Sequence, residues 1–183
     1  MDFLLLLAVI VLAGLFAWRF FFGFAAQPPT AYAGTGPAMD ISRNLSGEMI
    51  CQGVIFGPTG RVTSRFVARM VGKWADKTAT LSEDFAYSGG KTQGRQWAIT
   101  MGDNGFFTAT APDIVGVAQG QQSGATARMT YRLRLTEAAG GHVLDVVDWL
   151  YLTDDGTILN KSEMRKFGVK VAELIATIRP VSQ

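Results

Sequence analysis

The sequence is poor in the residues that do most enzymatic and metal chemistry. Of its 183 residues one is cysteine, Cys51, and one is histidine, His142. A lone cysteine forms no internal disulfide and holds no metal by itself, so a disulfide scaffold and a thiolate metal site are both excluded. A lone histidine leaves a catalytic triad or a histidine-based metal centre without support. Charge is also scarce, at 17% of residues with a formal net charge of +2, against roughly 25% charged in an ordinary soluble domain. That charge is too small and too diffuse for a nucleic-acid footprint. No cofactor motif is present. Gly116–Gly124 is glycine-rich but lacks the Lys-Ser/Thr step of a phosphate loop, and Asp154-Asp155-Gly156 lacks the alternating acids of a calcium loop.

The apolar excess of the chain lies at the N-terminus. Apart from Asp2, Gly14, Arg19 and Gly23, every residue of 1–26 is apolar. Phe3–Trp18 as a helix covers about 24 Å, and extension to Ala26 gives about 36 Å, enough to cross the ~30 Å hydrocarbon layer with tilt. The segment therefore predicts an uncleaved single-pass membrane anchor, contacting the bilayer through residues 3–26. A cleaved signal peptide is the alternative. It fits less well, because only the terminal amine precedes Asp2 and the Ala31-Tyr32-Ala33 cleavage-like triplet lies far past the apolar run. Arg19 weakly favours a cytoplasmic domain. Residues 27–40, rich in Pro, Gly and Ala, read as a linker, and residues 41–183 as the folded domain.

Turn signals punctuate that domain at short intervals: Pro58-Thr59-Gly60, Ser88-Gly89-Gly90, Asp103-Asn104-Gly105, Gly140-Gly141 and Asp154-Asp155-Gly156. Between them apolar and polar residues alternate. Ala127, Met129, Tyr131, Leu133 and Leu135 share one face of a run. Leu144, Val146, Asp148, Leu150 and Leu152 oppose Val143, Asp145, Val147, Trp149 and Tyr151 in another. A period of two means strand. Strands are predicted near 47–56, 61–72, 80–87, 92–101, 106–111, 114–121, 125–135, 142–153, 157–166 and 169–178, the last with a helical alternative. Eight to ten strands joined by hairpins predict an all-β, up-and-down antiparallel sheet, closed into a barrel that removes its edges.

Several ordered motifs carry a family resemblance. Leu81, Glu83, Phe85 and Tyr87 are followed by Arg95 and Trp97. Asp113, Val115, Gly116, Ala118, Gly120 and Gly124 come next, then Asp148, Trp149 and Tyr151. The series closes on Leu159-Asn160, Ser162, Met164 and Lys166-Phe167-Gly168. In this pattern, over about residues 41–180, the chain resembles the bacterial DUF3833 family, which carries no assigned function. Ser88-Gly89-Gly90 departs from the acidic turn expected there. The resemblance implies a lipocalin-like (calycin-like) barrel tethered to a membrane. Many members look like lipoproteins, whereas here an apolar segment replaces the lipid-bearing cysteine. By analogy the barrel would face the periplasm from the bacterial inner membrane, against the Arg19 signal.

The polar residues of those motifs are the candidate ligand-binding set: Glu83, Tyr87, Arg95, Trp97, Asp113, Asp148, Trp149, Asn160 and Lys166. A carboxylate or guanidinium on an apolar strand face must be paired or solvated. These residues would either grip a ligand's polar group inside the barrel or form a structural ion-pair network. Asp145 and Asp148 fall on opposite faces, which argues against a glycosidase-type carboxylate pair. No catalytic or metal-ligating set emerges. The reading is a membrane-anchored barrel binding a fatty-acyl or other lipid ligand. The alternatives are a lipid-modifying enzyme or accessory subunit, and a non-binding scaffold for partner enzymes.

Overall fold

The structure is a computed structural model that describes residues 3–21 and 23–181, with side chains for all of these except 15–21. Ten strands follow one another: β1 (Gly47–Phe56), β2 (Val62–Ala75), β3 (Thr78–Tyr87), β4 (Thr92–Met101), β5 (Phe106–Thr110), β6 (Ala118–Ser123), β7 (Thr126–Arg134), β8 (Val143–Leu152), β9 (Ile158–Lys166) and β10 (Val169–Pro180). Each pairs antiparallel with its sequence neighbour. β10 returns to β1 along Met49↔Pro180 to Phe56↔Glu173 and closes the barrel. The last strand is β and not helical, because it completes the ladder that would otherwise leave β1 and β9 as open edges.

The period of two becomes an inside and an outside. Phe66, Ala68 and Met70 of β2, Leu81 of β3, Trp97 and Ile99 of β4 and Val146 of β8 are buried inward. One expected strand is displaced. Residues 111–117 form a loop, and β6 begins only at Ala118. Ile114 still makes a single bridge to Leu133, and Arg134 donates its backbone N–H to Asp113 O at 2.8 Å.

One end of the barrel is plugged. The short helix α2 (Ile41–Asn44) is capped by Asp40, whose side chain accepts from Ser42 N, a favoured cap arrangement. It seats Met39, Ile41 and Leu45 in the core. Trp74 Nε1 donates to Leu45 O at 3.1 Å. Gly72 permits this approach, since a Cβ there would stand 1.9 Å from Leu45 O. Gly120 likewise makes room for the Phe107 ring, 2.2 Å from where its Cβ would be.

The N-terminus departs from expectation. The first helix, α1, runs Phe3–Phe21, 19 residues, or about 28 Å. Among the described residues no helix is long and apolar enough to cross a membrane, so the single-pass transmembrane helix expected over residues 1–26 is not supported. The backbone turns at Gly23, where φ is +107°. The helix does not continue to Ala26. Instead Phe24–Ala26 forms a separate 3-10 turn against the barrel wall, with Lys161 Nζ 4.8 Å from the Phe24 ring and Arg128 Nη2 donating to Ala25 O at 3.3 Å. The following stretch also packs on that wall. A 3-10 turn at Pro29–Tyr32 lays the Tyr32 ring 5.2 Å from Trp149 and 5.9 Å from Tyr151. Ala125 N donates to Thr35 Oγ1 at 3.0 Å.

Candidate functional site

The barrel is hollow. A cavity of about 560 Å³ occupies its interior, within the range of small-molecule sites. Its wall is mainly apolar, with Phe66, Phe85, Leu81, Leu150, Met164 and Leu174 among the lining side chains. Strand register sets a polar cluster into this wall.

On β3 and β4 the register places Glu83 directly opposite Arg95, and parity turns both inward beside Trp97. Arg95 Nη1 lies 3.9 Å from Glu83 Oε2, and Trp97 Nε1 donates to the same oxygen at 3.3 Å. The 111–117 loop, held to β7 by the Ile114 bridge, delivers Asp113. Arg95 donates to Asp113 Oδ2 from Nε at 2.9 Å and from Nη2 at 2.6 Å. Asp113 Oδ1 is buried without a hydrogen-bond partner. On β8 and β9 Asp148 stands opposite Ser162. Its Oδ1 accepts from Asn160 Nδ2 at 2.5 Å and from Ser162 Oγ at 2.7 Å, and Tyr131 Oη lies 3.5 Å from its Oδ2.

Burial shapes the acid–base behaviour of the cluster. It pushes the Glu83 carboxyl up to about 7, against the opposing pull of Arg95 and of the Trp97 hydrogen bond. It raises Asp148 too, opposed by the Ser162 and Asn160 hydrogen bonds. Tyr131 is raised well above an ordinary phenol by burial, with the Asp148 charge adding to it. Burial takes the Cys51 thiol to about 12, so it stays protonated and unreactive near neutrality. Desolvation of a charged form is the common cause.

Seven of the nine candidate residues line the cavity: Glu83, Tyr87, Arg95, Trp97, Asp113, Asp148 and Asn160. Two do not. Trp149 faces outward, fully buried beneath Tyr32 and the Arg128 guanidinium, which lies 5.9 Å from its ring. Lys166 sits at the tip of the β9–β10 hairpin, its ammonium 5.5 Å from the exposed Phe167 ring. Tyr131 and Ser162 belong to the cluster but were not among the candidates. Tyr131 reads from sequence as one more apolar member of the β7 face, while Ser162 carried a signal in its place two residues after Asn160. His142 is exposed at the start of β8, and Asp145 is exposed on the face opposite Asp148.

No curated protein matches the sequence. Among solved structures, the chain is similar to the crystal structure of Rv2717c from M. tuberculosis, with a TM-score of 0.57 and 15% identity over 81% of this chain and 99% of that one. At this identity the likeness concerns the fold. A family profile described as protein of unknown function matches residues 18–180, which takes in the barrel, the plug and the segment packed on the outer wall, and the chain therefore belongs to the DUF3833 family.

Proposed function

We propose that this protein is a membrane-associated barrel that holds an amphipathic, lipid-like ligand. One observation carries the reading: a cavity of about 560 Å³ with an apolar wall and one compact polar cluster. A filled interior would have pointed to a scaffold. A chain-like ligand would lie against Phe66, Phe85 and Leu174, with its polar group at Arg95, Glu83 and Asp113. Removing such a chain from water is worth about 0.8 kcal/mol per buried CH₂, so the wall supplies affinity and the cluster supplies orientation.

Membrane association rests on α1, whose described apolar side chains from Phe3 to Leu12 are solvent-exposed. An exposed apolar stretch of that extent fits a lipid surface. In this reading residues 3–26 hold the barrel at the bacterial inner membrane, with the periplasmic side inherited from the family analogy.

The test is displacement of an apolar naphthylamine dye from the full chain held in an amphipol. Enhanced dye fluorescence that falls on adding long-chain lipids supports the reading; a chain that never takes up dye contradicts it. A second reading, a lipid-modifying enzyme, is favoured by one observation, the Glu83 carboxyl at about 7, in the range of a general acid or base. Mass analysis of the ligand after incubation separates the two, because binding leaves the ligand's mass unchanged.

A further inference from the structure

The proposed lipid site has a polar end whose hydrogen-bonding is one-sided. Three carboxylates, Glu83, Asp113 and Asp148, face the cavity. Among the described residues they meet one inward guanidinium, that of Arg95. Of the other two arginines at the cavity boundary, Arg128 lies over Trp149 on the outer wall and Arg134 is exposed. Arg95 places Nε and Nη2 on Asp113 Oδ2, and its Nη1 lies 3.9 Å from Glu83 Oε2, an ion-pair distance beyond hydrogen bonding.

The neighbouring donors are engaged. Trp97 Nε1 goes to Glu83, Ser162 Oγ to Asp148, and Asn160 Nδ2 to Asp148 and to Trp149 O at 3.1 Å. Beside these engaged donors stands an acceptor, Asp113 Oδ1, buried and without a partner. An unsatisfied buried acceptor costs about 1–3 kcal/mol, and more when charged. A ligand that donates a hydrogen bond recovers that cost. A ligand carboxylate brings only acceptors and a like charge to a site already rich in both.

Resting on the lipid-binding reading above, we propose that the cavity selects an amphiphile whose polar group donates hydrogen bonds, as a hydroxyl, amide N–H or ammonium does, and discriminates against a free carboxylate. The aliphatic wall is common to all such ligands, so the discrimination resides in the polar cluster.

Three ligands with the same chain and different heads test this: hexadecanol, hexadecylamine and hexadecanoate. Each is titrated against bound naphthylamine dye on the full chain in an amphipol, at mildly alkaline pH where the acid is ionised. The alcohol and the amine are expected to displace the dye at concentrations about tenfold below that of hexadecanoate, a difference of about 1.4 kcal/mol. Equal or tighter binding of hexadecanoate overturns the selectivity while leaving the cavity a lipid site. Failure of all three to displace the dye overturns both. Glu83→Gln, which removes one charge from the cluster, is expected to narrow the gap by improving hexadecanoate alone; an unchanged gap in a folded variant counts against the charge argument. If that variant does not fold, the wild-type series still decides.

Discussion

Arg95 reaches from β4 to Asp113 in the β5–β6 loop and places two donors, Nε and Nη2, on the single oxygen Oδ2. This contact ties the loop to the barrel wall and sets the charge of the cavity's polar end. Both partners are largely buried, with side-chain exposures of 16% and 23%. Breaking such a pair from one side leaves the other charge stranded. Arg95→Met is therefore expected to destabilise the barrel by about 3–5 kcal/mol. Adding Asp113→Asn should recover a large part of that loss, because the stranded carboxylate is gone. Urea unfolding of the wild type, both single variants and the double variant measures the coupling.

Glu83 makes stability depend on pH in a defined direction. Its carboxyl is raised from 4.5 to about 7 in the folded chain, so the folded state holds its proton more tightly than the unfolded state does. Stability is full below about pH 4.5, falls as pH rises toward 7, and levels off above that. The shift corresponds to roughly 3 kcal/mol across the window. Asp148, also raised, adds loss of the same sign. Glu83→Gln should flatten the Glu83 part of this profile, measured by denaturant unfolding at a series of pH values.

The segment on the outer wall should act as a clamp on Trp149. Trp149 has no exposed surface and is covered by Tyr32 at 5.2 Å. Tyr32→Ala should cost about 1–3 kcal/mol in lost apolar burial and ring contact. It should also shift tryptophan emission to the red. The shift should vanish when Trp149 is replaced by Phe, since the cavity-facing Trp97 is unaffected.

Filling the cavity should separate binding from folding. Met164 lines the cavity from β9 and is half-buried. Met164→Trp places a larger ring in existing free volume. Dye uptake should fall sharply while the melting temperature stays level or rises, in contrast to the Arg95 variant. Dye titration and thermal unfolding on one preparation check both halves.

The barrel was legible in the sequence because its inward faces are written every second residue. Parity groups Asp148 with Leu144, Val146, Leu150 and Leu152 on one face, and the same rule aligns Glu83 with Phe85 and Tyr87. Parity assigns a face but cannot say what covers it. Trp149 shows this: it lies on the outer face of β8, and a contact with Tyr32, more than a hundred residues away in sequence, buries it. Tyr131 was missed for the opposite reason. Its phenol stands among Met129 and Leu133 on an apolar face, and only the approach of Asp148 from β8 reveals a polar role. Asp113 meets Arg95 from a loop held to β7 by the Ile114 bridge to Leu133 and by backbone bonds on either side, a pairing between a loop and a strand that leaves no periodic trace. At the N-terminus, composition showed an apolar run but not its break at Gly23, which ends the helix before Ala26.

A barrel interior that is a ligand site, and not a void left by loose packing, should leave the cell occupied. Native mass spectrometry of the full chain, purified from cells without lipid extraction, tests it most directly. The expected result is a discrete added mass that disappears after organic extraction and is reduced in Met164→Trp. The bare polypeptide mass in every preparation, together with no uptake of added long-chain alcohol, would contradict it.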